Sequence, residues 1–85
     1  MKNVTIYVKS TCPYCKKALL VLNRAGIKPK VFDVSSDPAK RQEMIVLSNG
    51  GSTVPQIFFD NEHIGGCDDL VKIEKRGLLD QKLGK

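Results

Sequence analysis

Apolar residues recur at every second position near the start of the chain. Val4, Ile6 and Val8 alternate with Thr5, Tyr7 and Lys9, which predicts a strand over residues 2–9 with one apolar face. The period then lengthens. Ala18, Leu19, Leu22 and Ala25 recur at helical spacing over residues 14–25, and Leu20 and Val21 widen that face. Pro13 suits a first helical turn, where its missing N–H costs nothing, and Gly26 suits a left-handed cap. Residues 30–34 predict a second short strand. Ser35 or Ser36 is expected to cap a second helix, with Asp37, Pro38 and Ala39 in its opening turn and Met44, Ile45 and Leu47 on its apolar side. Residues 49–52 read as a loop. Residues 54–59 predict a third strand that begins around Pro55, where a missing donor is tolerated. Asp60-Asn61 reads as a hairpin turn into a short fourth strand over residues 62–64. Gly65-Gly66 breaks that strand, residues 67–76 predict a third helix through Leu70, Val71 and Ile73, and residues 78–83 add a final turn or two. The order βαβαββα predicts an α/β fold with a parallel, right-handed first βαβ unit and an antiparallel hairpin at one edge.

The length, 85 residues, suits one domain over 1–85 with one modest core. No apolar run approaches membrane-spanning length, and the N-terminus lacks the long apolar stretch of a signal peptide. A cytoplasmic location and no membrane partner are therefore expected. Lysine and arginine exceed the acids by a formal charge of +5. The cations are dispersed, with no interleaved aromatic ladder, so specific nucleic-acid binding is not expected. Attraction of a small anionic thiol fits this balance better.

The cysteines sharpen the picture. Cys12 and Cys15 lie three residues apart, between a strand pattern and a helix pattern. That context indicates a redox pair rather than half a metal site. A cysteine at a helix start faces unpaired N–H groups and the positive end of the helix dipole, which favours its thiolate. A structural disulfide between the two closes too short a loop to stabilise much. Three cysteines is an odd number, so in a reducing compartment Cys12 and Cys15 can cycle while Cys67 stays a thiol. No cluster of His, Asp and Glu suggests hydrolysis or a zinc centre, and His63 reads as an exposed hairpin histidine.

Three motifs then converge on a resemblance. Cys12-Pro13-Tyr14-Cys15, Thr53-Val54-Pro55 and Gly65-Gly66-Cys67-Asp68-Asp69 occur in this order in a short chain. The sequence resembles the glutaredoxins, in particular the small bacterial dithiol type, over nearly its whole length. A thioredoxin normally carries Gly-Pro between its cysteines, after a Trp, and this chain has neither. The resemblance implies a thioredoxin-like fold, a four-stranded mixed sheet flanked by three main helices. It implies a monomer that holds no tightly bound cofactor and uses glutathione as reducing co-substrate. Implied partners are glutathione, glutathionylated proteins and disulfide-containing enzymes, ribonucleotide reductase among those the family serves. Cys12 becomes the nucleophile and Cys15 the thiol that resolves mixed disulfides formed on Cys12. Pro55 is expected to follow a cis peptide, with the Val54 backbone free to pair with the cysteinyl backbone of glutathione, a recognition mode that ignores side chains. Gly66, Cys67, Asp68 and Asp69 are expected to hold the γ-glutamyl end at a helix N-terminus.

Plainer readings stand beside several of these roles. Tyr14 is either a wall of the groove or an exposed aromatic at a helix start. Asp68 and Asp69 receive the glutathione ammonium or simply cap their helix. Lys9 and Arg41 are candidates for the glycyl carboxylate, with Lys40 and Gln42 behind them, and Lys9 is otherwise a solvated lysine. Two other functions are carried as alternatives: a glutathione-ligated iron–sulfur carrier, and a binding module that merely retains the fold. Pro13 with Tyr14 argues against the first, because such carriers more often have Ser or Gly near the active cysteines. The paired cysteines argue against the second.

Overall fold

The N-terminal alternation forms strand β1, Val4–Val8, in a computed structural model that describes residues 1–84. Lys85, the last residue of the expected domain, lies outside the described residues. Helix α1 spans Pro13–Arg24, strand β2 Lys30–Asp33 and helix α2 Pro38–Leu47. Strands β3, Gln56–Phe59, and β4, Glu62–Gly65, flank the Asp60-Asn61 turn. Helices α3, Cys67–Lys75, and α4, Leu79–Leu83, complete the order. The sheet runs β2-β1-β3-β4, with β1 and β2 parallel and the other pairs antiparallel. This is the expected four-stranded mixed sheet. Among the described residues, no helix is long and apolar enough to cross a membrane.

Both faces of the sheet are covered. Val4, Ile6 and Val8 of β1 and Ile57 and Phe59 of β3 pack against Ala18, Val21 and Leu22 of α1, Leu70 of α3, and Leu79 and Leu83 of α4. Each large apolar side chain fully withdrawn from water contributes about 1.5–3 kcal/mol, so this layer carries most of the stability. The opposite face is not solvated, as a single apolar stripe on β1 suggested. Tyr7 and Phe58 are buried there with Val34, just after β2, and with Met44 of α2. Leu20 departs from the expected core: it is 54% exposed, because α1 turns Ala18, Val21 and Leu22 inward instead. Leu47 is likewise exposed, and Met44 is the inward residue of α2.

The helix starts explain two further differences. The second helix is capped by Asp37, whose carboxylate accepts from Lys40 N–H at 3.1 Å, and not by Ser35 or Ser36. Pro38 occupies the first helical position, where no donor is needed, and Ser35 is held by the Asp33 carboxylate. The third strand begins at Gln56 rather than Val54, which leaves Thr53, Val54 and Pro55 as an irregular segment ahead of it. Gly26 does take the left-handed conformation after α1, with φ 76°.

Tyr7 gives the fold a testable pH dependence. Its hydroxyl donates to Glu43 Oε2 at 2.6 Å. Burial first, then the hydrogen bond and charge of Glu43, push the phenol above the ordinary tyrosine range. The unfolded chain therefore releases this proton at lower pH than the fold does. The phenol's contribution is intact below about pH 10 and is lost as pH rises beyond it. Urea midpoints are expected to fall from pH 10 upward, and to fall less steeply in Tyr7→Phe. Parallel declines in the two proteins would contradict this.

Candidate active site

Cys12 is the N-cap of α1, with extended backbone angles of φ −100° and ψ 111°. That conformation folds its side chain back over the first turn, and Sγ accepts from Cys15 N–H at 3.2 Å. A sulfur thus occupies the place that a Ser or Asp oxygen usually takes at a helix start. Pro13 fills the first helical position and offers no competing donor. Across the site, Cys12 Sγ stands 3.9 Å from the Val54 carbonyl. The Val54–Pro55 peptide bond is cis.

The two thiols of the pair differ in environment. Cys12 is partly exposed, whereas Cys15 is 2% exposed, and both are free. Burial first, then the hydrogen bond to Cys12, pushes the Cys15 thiol up to about 12; a backbone hydrogen bond from Lys9 opposes this. Cys15 therefore keeps its proton at neutral pH. Cys67 is also a free, buried thiol. Burial raises its pKa, the positive charge of Lys17 opposes the rise, and Asp68 and Cys12 add to it. Of the three sulfurs, only that of Cys12 is open to a substrate.

A cleft of about 380 Å³ lies beside this sulfur. Tyr14, 61% exposed, stands at one wall. Thr53, Val54 and Pro55 form the second, and Gly66, Cys67, Asp68 and Asp69 the third. Eight of the residues expected from sequence are thus brought together. Lys9, Arg41 and Pro13, the last also expected beside the ligand, are exposed and do not line the cleft. Lys9 instead accepts the Cys12 N–H through its carbonyl at 3.4 Å, and Arg41 closes the first turn of α2 on the Asp37 carbonyl.

The two acids at the start of α3 separate in role. Asp69 Oδ2 accepts from Gly66 N–H at 3.0 Å, so its carboxylate secures the helix start. Gly65 has φ 118°, and a Cβ there would collide with the Asp69 carboxylate. A glycine is therefore required by conformation and by space together. Asp68 is exposed and lines the cleft, and its carboxylate has no hydrogen-bond partner among the described residues. Its carboxylate is available to a cation.

Two lining residues were not expected there. Gln56 and His63 stand at the back of the cleft, bonded to one another. His63 is exposed, as a hairpin histidine should be, but its ring also stacks on Phe58 at 5.0 Å between centroids. A signal existed in the turn. A two-residue hairpin at Asp60-Asn61 pairs Phe59 with Glu62 and Phe58 with His63, which brings His63 onto the face shared by Phe58 and Gln56.

The chain is similar to known proteins over nearly its whole length. The glutaredoxin family model matches residues 4–64. Glutaredoxin 3 of Escherichia coli K12 is 51% identical over 83 residues, covering 98% of this chain and 99% of its own. The solution structure of a Brucella melitensis glutaredoxin superposes with a TM-score of 0.83 at 44% identity, covering 100% of this chain and 94% of that one. A buckwheat glutaredoxin–glutathione complex superposes with a TM-score of 0.84 at 26% identity, over 98% of this chain and 77% of that one. With the thioredoxin-like sheet, the Cys12–Cys15 pair and these similarities in agreement, the chain belongs to the glutaredoxins, a family of thiol–disulfide oxidoreductases.

Proposed function

We propose that this protein is a glutathione-dependent oxidoreductase that reduces glutathione mixed disulfides and protein disulfides. The observation that carries the reading is the position of Cys12 Sγ, partly exposed at a helix start and 3.9 Å from the Val54 carbonyl at the side of the cleft. In the first route, the Cys12 thiolate attacks the glutathionyl sulfur of a mixed disulfide. The old S–S bond breaks, and the substrate leaves as a thiolate that takes a proton from water. A second glutathione thiolate then attacks the glutathionyl sulfur on Cys12, releasing glutathione disulfide and restoring the Cys12 thiolate.

In the second route, Cys12 attacks a protein disulfide and becomes joined to one of its sulfurs. Cys15 loses its proton, attacks Cys12 and frees the protein as a dithiol. Two glutathiones then reduce the Cys12–Cys15 disulfide. The causes of the Cys15 shift support this order. The hydrogen bond and charge of Cys12 help hold the Cys15 proton in place. Both are lost once Cys12 is bonded to a substrate sulfur, so Cys15 becomes easier to ionise when its attack is needed.

In this reading the Val54 backbone pairs with the cysteinyl unit of glutathione, and Tyr14, Thr53 and Pro55 shape the walls. The N–H groups at Cys67 and Asp68, in the first turn of α3, meet the γ-glutamyl carboxylate, and the Asp68 side chain meets its ammonium. Asp69 supports them through its helix cap. The glycyl carboxylate is left to a cation reaching in from outside the lining, Lys9 or Arg41. The whole chain works as one domain and as a monomer in the cytoplasm, where three free thiols persist. The glutathione complex of the buckwheat relative supports the choice of co-substrate.

Trapping tests this reading. Cys15→Ser protein treated with glutathione disulfide is expected to gain one glutathione adduct by intact-mass spectrometry, mapped to Cys12. An adduct confined to Cys67, or none, would overturn it. Asp68→Ala is expected to raise the KM for glutathione about tenfold, the effect of losing one charge-assisted hydrogen bond. An unchanged KM would remove Asp68 from the ligand contacts.

A further inference from the structure

Thr53 and Val54 belong to no strand or helix. Among the described residues, no backbone-to-backbone hydrogen bond ties them down. A side chain does so instead. Gln56 Nε2 donates to the Thr53 carbonyl at 3.0 Å and lies 3.4 Å from Thr53 Oγ1. A carbonyl only accepts, so the orientation of the Gln56 amide is fixed with its nitrogen toward Thr53. Its oxygen then faces His63 Nε2 at 2.6 Å, and that nitrogen must carry the proton. The imidazole is itself steadied by its stack on Phe58.

Gln56 has little freedom to leave this arrangement. It is 6% exposed. A Cβ at Gly51 would stand 2.6 Å from Ser48 Oγ and 2.9 Å from Gln56 Nε2, so the Gly51 backbone lies close against the amide. Ser48 Oγ donates to the Met44 carbonyl at 2.6 Å and stands 3.0 Å from the Gly51 carbonyl. The segment that carries Val54 is therefore anchored through the Gln56 side chain of β3, which is held in turn by His63 of β4.

We infer that Gln56 and His63 are positioning residues that act through Thr53 to set the Val54 backbone for an incoming peptide disulfide. The inference rests on the glutathione reading of the cleft. Neither residue needs to touch the reacting sulfurs. Their effect falls on disulfides that carry a peptide backbone to pair with Val54, and spares disulfides that carry none.

The test compares the reaction of reduced protein with glutathione disulfide and with bis(2-hydroxyethyl) disulfide, which has no peptide unit. In both, Cys12 attacks one sulfur, the S–S bond breaks and one thiolate leaves. Gln56→Glu is the informative variant, because a carboxylate still accepts from His63 but cannot donate to Thr53. Gln56→Met removes both bonds. His63→Phe keeps a ring on Phe58, removes the donor and changes an exposed position, so its folding is not at risk. Rate constants with glutathione disulfide are expected to fall about tenfold in the Gln56 variants and about threefold in His63→Phe. Those with the hydroxyethyl disulfide are expected to stay within about twofold of the parent. Nitrogen-15 NMR of the parent is expected to show the His63 proton on Nε2. Equal losses on both disulfides, or no loss on either, would overturn the inference. A parent that shows no preference for glutathione disulfide would overturn the glutathione reading itself. A parent with that preference, retained in all three variants, would overturn the positioning role alone.

Discussion

Cys12→Ser is expected to abolish turnover of both glutathione mixed disulfides and protein disulfides. Loss of a nucleophile that forms the covalent intermediate lowers the rate on the order of 10⁴-fold or more, to the uncatalysed background. Both routes begin with the same attack, so no substrate escapes the loss. The fold is expected to survive intact. Cys12 is an N-cap whose sulfur accepts from Cys15 N–H, and a serine oxygen fills that position at least as well. Thermal unfolding of the variant at or above the parental midpoint, together with absent turnover, separates chemistry from stability. Residual turnover at a tenth of the parental rate would assign the nucleophile elsewhere.

Cys15→Ser is expected to split the two activities. Turnover of a glutathione mixed disulfide needs one protein thiol, and is expected to stay within about twofold of the parent. Reduction of a protein disulfide is expected to fall on the order of 100-fold, because an external thiol must replace a partner held one helical turn away. The geometry makes the asymmetry specific to this pair. Cys15 is buried behind Cys12, and burial together with the neighbouring Cys12 raises its pKa. Equal loss of both activities would mean that Cys15 takes part in the first attack. Equal retention would mean that it takes part in neither.

Much of this was legible in the sequence, and the exceptions have physical causes. The alternation over Val4, Ile6 and Val8 and the helical spacing of Ala18 and Leu22 survive in the core. Leu20 was misplaced because Ala18-Leu19-Leu20-Val21-Leu22 is apolar all round a full turn. Periodicity cannot choose a face in such a run, and packing chose Val21. Tyr7 read as the outer side of β1 because its cover comes from α2, more than thirty residues away.

The candidate site was legible wherever a motif carried it. Cys12, Cys15, Val54, Pro55 and Asp68 come together as their motifs implied. Lys9 had charge to recommend it and Arg41 charge and a place on the second helix, and neither fixes where a long side chain lies. Gln56 was hidden for the opposite reason. A lone amide between Pro55 and Ile57 looks like an ordinary strand residue, and only burial beside Thr53 and His63 reveals its bonds. Asp68 and Asp69 are adjacent and chemically alike, and separated only when one was found bonded to Gly66 and the other open to the cleft.

The most direct test of the central claim is a coupled assay containing reduced glutathione, glutathione reductase, its nicotinamide reductant and a small glutathione mixed disulfide. The account predicts reductant oxidation that rises in proportion to the parent protein, saturates with the mixed disulfide and disappears in Cys12→Ser. A parent protein that leaves the background rate unchanged would contradict it.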